Sequence, residues 1–191
     1  MDLLFAGIFI YHSSPPAHRR RENEGGRTIF FRKPTIEDGS DIWKLAKDSE
    51  ILDLNSAYCY LLLCKHFSET CVVAESGGRL AGFVTAFRPP ASPDVLFIWQ
   101  IGVAGAMRRQ GLGRALLKDL LRREASRGVS FLETTITPSN HPSKALFASL
   151  ARSLNTPYVE EKGFPESLFP EGNHQAEDLI RVGPFDPLKL D

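Results

Sequence analysis

Met107-Arg108-Arg109-Gln110-Gly111-Leu112-Gly113-Arg114-Ala115-Leu116-Leu117 sets two glycines and three arginines between an apolar stretch and an amphipathic one. The residues before it, Val95 to Val103, read as a continuous buried strand, and Gly102 inside that strand marks a bulge or a close approach by another group. The residues after it carry leucines at 116, 117, 120 and 121, the inward stripe of a helix running to about Arg127 and ended by Gly128. Strand, glycine turn and helix in that order suit a pyrophosphate. Gly111 and Gly113 remove Cβ atoms from the approach, and the free N–H groups of the first helical turn, with the helix dipole behind them, point at the anion. Arg108, Arg109 and Arg114 add positive charge, while Gln110 and Leu112 complete the turn. A helix start with packing glycines and solubilising arginines is the plainer alternative. A dinucleotide fingerprint is excluded, since the third glycine and the acid about 20 residues on are missing, and so is a Walker loop, which needs Gly-Lys-Ser/Thr.

With 191 residues, 42% of them hydrophobic, the chain is long enough for one sizeable core and too short to expect two. Lys+Arg and Asp+Glu both total 23, so no global field attracts a polyanion and nucleic acid is not expected as a partner. Cys59, Cys64 and Cys71 lack C-x-x-C spacing, which disfavours a disulfide scaffold or a metal site and suits a reducing cytoplasm. Leu3 to Tyr11 is apolar but too short to span a bilayer, and no basic segment precedes it; no membrane contact is expected. Residues 1–27 read as a disordered extension and residues 28–191 as the folded domain.

From Thr28 the pattern becomes regular. Thr28 to Arg32 reads as a strand, Pro34-Thr35 opens a helix through Lys47, and Asn55 caps an apolar helix through His66. Thr70 to Glu75 and Leu80 to Phe87 form a hairpin. Phe131 to Thr137 is a strand, and the segment from Pro138 to Ser143 caps a helix through about Leu154. Pro157 to Gly172 reads as a loop, and Asp178 to Val182 as a closing edge strand. The expected class is α/β of α+β type: a mixed, mostly antiparallel sheet flanked by helices, with a bulged central strand that opens a cleft.

The R-x-x-G-x-G order, with its strand and helix, resembles the acyl-CoA motif of the GCN5-related N-acetyltransferases over about residues 28 to 184. The runs Leu52 to Tyr60, Thr70 to Glu75, Gly82 to Pro90, Val95 to Gln100 and Glu133 to Asn140 are similar, within that superfamily, to the diaminobutyrate acetyltransferases of ectoine biosynthesis. That resemblance implies acetyl transfer from acetyl-CoA to the 4-amino group of L-2,4-diaminobutyrate by a cytoplasmic homodimer serving the osmotic-stress response, without a metal. It also implies that Ile101 and Val103 offer backbone groups to pantetheine and that Asn140, Lys144 and Phe147 line the acyl-CoA arm. Many relatives carry a tyrosine where Phe147 stands, to protonate the leaving thiolate. Its absence is tolerable, because a thiol of pKa ~8.5 represents only roughly 2 kcal/mol of protonation driving force at pH 7. Deprotonating an alkylammonium of pKa ~10.4 costs more, about 4.6 kcal/mol, and asks for a base, a water relay or desolvation.

The α-amine of this substrate is the less basic, so selectivity for the 4-amine must come from positioning. Asp53, ahead of the second helix, is the candidate partner for the α-ammonium, with a helix-start acid as the plainer reading. Tyr58 is the candidate carboxylate donor or proton relay, and Trp99 the wall for the aliphatic chain; core packing is the alternative for both. Glu133 and Thr135 share one strand face, where Glu133 is a candidate base or second ammonium ligand. In relatives the tail closes the substrate pocket, which brings in His174 and Glu177, although relatives tend to be more acidic near Asn173 to Asp178. The motif is also compatible with an acetyltransferase for another small amine, or with a non-catalytic acyl-CoA-binding module.

Overall fold

The computed structural model describes residues 19–22, 28–49, 51–170 and 174–187. In chain order the elements are β1 (Arg19–Glu22), β2 (Thr28–Arg32), α1 (Asp38–Ser49), α2 (Ala57–His66), β3 (Val72–Ser76), β4 (Arg79–Phe87) and β5 (Val95–Val103). They continue with α3 (Leu112–Leu121), β6 (Phe131–Ile136), α4 (His141–Leu154), β7 (Tyr158–Phe164) and β8 (Glu177–Val182). The strands form one sheet in the order β1-β2-β3-β4-β5-β6-β8-β7, antiparallel except where β5 meets β6.

Two cores follow from the two faces. Ile42, Ala46, Tyr60 and Cys64 of α1 and α2 pack with Val73 and Phe83 on one side. On the other, Leu112, Leu116, Leu117 and Leu120 of α3 and Phe147, Leu150 and Ala151 of α4 cover Ile29, Phe31, Val84, Leu96, Ile98 and Ile180. At the end of β2, Arg32 donates to Asp38 at 2.6 and 2.7 Å and to Glu75, tying α1 to the hairpin. Burial of Asp38 opposes its ionisation, but Arg32 and the Thr35 N–H outweigh that and hold the carboxyl below its ordinary range.

Several expectations are corrected. The sheet begins before Thr28: Arg19–Glu22, inside the predicted disordered extension, pairs with β2 from Arg19↔Phe31 to Glu22↔Thr28. The rest of that extension lies outside the described residues. The cap of α2 is Ser56, whose side chain accepts from the Cys59 N–H, and not Asn55. Helix α3 ends at Leu121, short of Arg127, because Arg123 turns extended and the buried Ser126 hydroxyl takes the Leu120 carbonyl at 2.8 Å. Tyr158–Phe164 is a strand, not a loop. It escapes the sequence pattern because it is exposed almost throughout and shows no apolar alternation. Being the outermost strand, it makes β8 an internal one.

The bulge of β5 is real but sits at Trp99, since Thr85 pairs with Gln100 and Ala86 with Ile98. Gly102 serves the close approach instead: a Cβ there would collide with the Phe83 ring. Pairing of β5 with β6 stops at Phe97↔Glu133, whereas pairing with β4 continues to Val103. Thr134 Oγ1 donates to the Ile98 carbonyl at 3.0 Å near the point of divergence. Beyond it the two strands part, leaving one side of β5 open.

Candidate active site

The anion end of the site is built from backbone. Met107 is 5% exposed and anchors the loop in the core, and Arg109 and Gly111 follow with φ of 61° and 72°. A non-glycine residue in that region is held there by its surroundings. Arg108 Nε donates to the Val103 carbonyl at 3.2 Å and Gln110 Nε2 to the Ala106 carbonyl at 2.9 Å, so two side chains brace the turn. Left-handed residues ahead of a helix aim successive N–H groups into one concavity. Around Gly111 there is room, for the nearest atom to a Cβ would be Arg21 Nη2 at 3.9 Å. This geometry fits a pyrophosphate.

Not every residue of the motif acts on the anion. Leu112 is 2% exposed and belongs to the core, leaving only its backbone to the loop. A Cβ on Gly113 would meet Leu146 at 3.2 Å, so this glycine lets α3 and α4 approach. Arg114 reaches Ser149 at 3.4 Å across the same helix pair. The carbonyl of Val103 is taken by Arg108, which weakens its expected role toward pantetheine.

From the open side of β5 a cavity of about 650 Å³ runs toward the chain's C-terminal segment. Its wall includes Trp99, Ile101, Asn140 and Phe147 together with Asp53, Thr135, His174 and Glu177. Asn140 caps α4, its side chain accepting from the Ser143 N–H at 3.1 Å, while its position keeps it on the cavity wall. Phe147 is 1% exposed and spans core and cavity. Lys144 is corrected: it turns away to ion-pair with Glu160 and with Asp178 at 3.0 Å, which raises its pKa and ties α4 to β7 and β8.

The second end is a small acid–histidine cluster. His174 Nε2 lies 3.0 Å from Asp53 Oδ2 and 3.8 Å from Glu177 Oε1, and its ring stacks on Phe169 with centroids 4.1 Å apart. Its Nδ1 is 2.6 Å from the Gln175 carbonyl and donates there, and in the protonated ring Nε2 donates to Asp53. The bond to Asp53, then that to Gln175, accordingly raises the imidazole pKa. Burial pushes the Glu177 carboxyl up, partly offset by Thr135 and His174. Asp53 and Glu177 thus set two carboxylates about one imidazole, acceptors for a cationic group.

Two predicted residues fall outside this cluster. Glu133 receives Arg181 Nη1 at 2.7 Å from the directly opposed position on β8 and does not line the cavity, which removes it as base. Tyr58 is 71% exposed and also absent from the cavity wall. Sequence reasoning missed its neighbour Tyr60. That residue is fully buried and donates to Gln100 Oε1 at 2.8 Å, while Gln100 Nε2 donates to the Asp53 carbonyl at 2.6 Å. Desolvation raises the Tyr60 pKa and keeps the phenol a donor. Tyr60 and Gln100 thus position the Asp53 backbone. The legible signal was the pair of tyrosines two apart on a helix, which necessarily face different ways.

Residues 37–151 match the acetyltransferase (GNAT) family. The L-2,4-diaminobutyric acid acetyltransferase of Marinococcus halophilus is 49% identical over 158 residues, 83% of this chain and 91% of that protein. The structure of diaminobutyrate acetyltransferase from Paenibacillus lautus, in complex with its substrate L-2,4-diaminobutyric acid and coenzyme A, superposes with a TM-score of 0.81 at 43% identity, covering 84% of this chain and 97% of that one. Ard1 from Thermoplasma volcanium, 16% identical, shares the fold with a TM-score of 0.68 over 83% of this chain and 99% of that one. The chain belongs to the acetyltransferase (GNAT) family, and within it to the L-2,4-diaminobutyric acid acetyltransferases.

Proposed function

We propose that this protein transfers acetyl from acetyl-CoA to the 4-amino group of L-2,4-diaminobutyrate, giving the 4-N-acetyl product used in ectoine biosynthesis. The observation that carries the reading is one cavity along the open side of β5, shared with the Asp53–His174–Glu177 cluster, with the glycine turn of the anion cradle following that strand. Acetyl-CoA supplies the activated thioester. The N–H groups around Gly111 and the side chain of Arg109 hold its pyrophosphate on the turn that Arg108 braces, and the unpaired side of β5 near Ile101 receives the pantetheine amides.

At the other end Asp53 and Glu177 receive the α-ammonium, and Trp99, at 43% exposure on the bulge, walls the aliphatic chain. Holding the α-ammonium there leaves the 4-amine as the one able to face the thioester. The 4-ammonium first gives one proton to water, its nitrogen bonds the acetyl carbon, and as the carbon–sulfur bond breaks a second nitrogen proton passes through water to the leaving thiolate. The wall near Phe147 offers no phenol for that last step, which water serves at little cost.

The reading includes a homodimer. Its support is the exposed edge strand β7 with Val159 at 39% and Phe164 at 53%, beside Leu168 at 65%. No helix among the described residues is long and apolar enough to cross a membrane. The supply of acetyl-CoA and the free cysteines 59, 64 and 71 support a cytoplasmic setting and, with the product, a role in osmotic stress. The test is acetyl-CoA turnover with L-2,4-diaminobutyrate followed by thiol release, with the acetyl position read by NMR. Absence of turnover, or acetylation of the 2-amine, overturns the assignment.

A further inference from the structure

Strand β1 lies outside the residues that match the family and carries three consecutive arginines, Arg19, Arg20 and Arg21. Directly opposed residues of an antiparallel pair share a face. Arg19 is opposite Phe31 and Arg21 opposite Ile29, and both apolar partners are buried in the core that contains α3. Arg19 and Arg21 therefore face α3. The outer edge of that helix presents Arg114, Lys118 and Arg122 at intervals of four, one stripe along its length.

Between strand and helix lies a cavity of about 370 Å³ lined by these five cations, by Arg20 and by one carboxylate, Asp119. That carboxylate is already held by Arg123 at 2.7 and 3.0 Å, with Arg19 at 3.9 Å. In a chain whose charges balance at 23 and 23, such local concentration sets a strong positive potential. Arg21, on the wall of this cavity, also reaches the anion cradle, its Nη2 lying 3.9 Å from the Cβ position of Gly111.

We propose that β1 and α3 bind the 3′-phosphate of coenzyme A, with Arg21 as the residue that reads it. The proposal rests on the acetyl-CoA reading above and adds a second anion subsite to it. Coenzyme A carries two separate phosphate groups, a pyrophosphate and a 3′-phosphomonoester. Backbone N–H groups at α3 serve the first, and the guanidinium fork of Arg21 suits the dianionic second. The N-terminal strand thereby selects for the 3′-phosphorylated cofactor.

The test is calorimetric titration with coenzyme A and with 3′-dephospho-coenzyme A. Wild-type protein should bind coenzyme A about tenfold tighter or more, an order of magnitude ordinary for a charge-assisted contact. Arg21→Gln should lose about that factor for coenzyme A and nothing for the dephospho form, with Arg21→Lys intermediate. Arg127→Gln removes the same charge from an exposed pair with Glu124 elsewhere and should keep the wild-type ratio. A wild-type ratio retained in Arg21→Gln overturns the proposal, whether both affinities fall together, which assigns Arg21 to the pyrophosphate, or neither falls. Failure of the wild type to bind either nucleotide overturns the acetyl-CoA reading itself. Arg21 is exposed, and thermal melts check that the variants are folded.

Discussion

The two ends of the candidate site are built on opposite principles. The cofactor end is a single run, Ile101 to Arg114, in which a strand, a left-handed turn and a helix place backbone groups, so side chains there mostly brace or pack. The amine end gathers Asp53, Trp99, Thr135, His174 and Glu177 from the segment before α2, β5, β6 and the C-terminal segment. Its chemistry lies wholly in side chains. A backbone site tolerates changes of side chain but not of conformation, and a side-chain site the reverse.

The largest effect expected from that contrast is at Asp53. Asp53→Ala leaves an ammonium without its partner and should lower kcat/KM for diaminobutyrate by about a hundredfold or more, with coenzyme A affinity unchanged. Near-normal kinetics with a lowered melting point would reduce Asp53 to a structural acid. At the cofactor end, Gly111→Glu brings a Cβ to a residue of φ 72° and a negative charge to the cradle. Coenzyme A affinity should fall by about thirtyfold, given the strength of charge-assisted contacts. Gly113→Ala, by contrast, meets only the flexible end of Leu146, and the helix propensity gained offsets the crowding, so stability and affinity should stay near wild type. Equal losses at 111 and 113 would break the distinction between cradle and packing glycine.

A smaller effect is expected where the two ends meet. Phe147→Tyr should change turnover by less than about tenfold, because leaving-thiol protonation is worth no more than roughly 2 kcal/mol. A hundredfold gain would show instead that a missing acid limits the enzyme. The smallest effect concerns pH. The folded-state pKa of His174 is raised, so its contact with Asp53 contributes fully below the ordinary histidine value and is lost as pH rises through the raised one. Asp53 is 76% exposed, so the contribution is at most about 1 kcal/mol. Melting temperatures of wild type and His174→Gln should differ near pH 6 and converge in alkaline buffer; a gap that widens with pH contradicts the assignment.

The difference between the two ends is also the difference in how much the sequence disclosed. Hydrophobic periodicity and the glycine turn determined the sheet-and-helix class, the presence though not the position of the bulge, and the left-handed turn before α3, because each is decided by neighbours within a few residues. Tertiary structure decided the amine end. Asp53 and His174 are 121 positions apart, and only the meeting of the C-terminal segment with the residues before α2 makes them partners. Glu133 and Arg181 neutralise each other across a register that no local pattern specifies, and the same face that exposes Thr135 to the cavity therefore withholds its neighbour two residues earlier. Strand β7 was illegible for a related reason: an edge strand exposed almost throughout buries no alternating side chains, and its pairing with β8 is the only thing that makes it a strand. Strand β1 likewise exists through β2, whose buried Ile29 and Phe31 fix which of its arginines face α3.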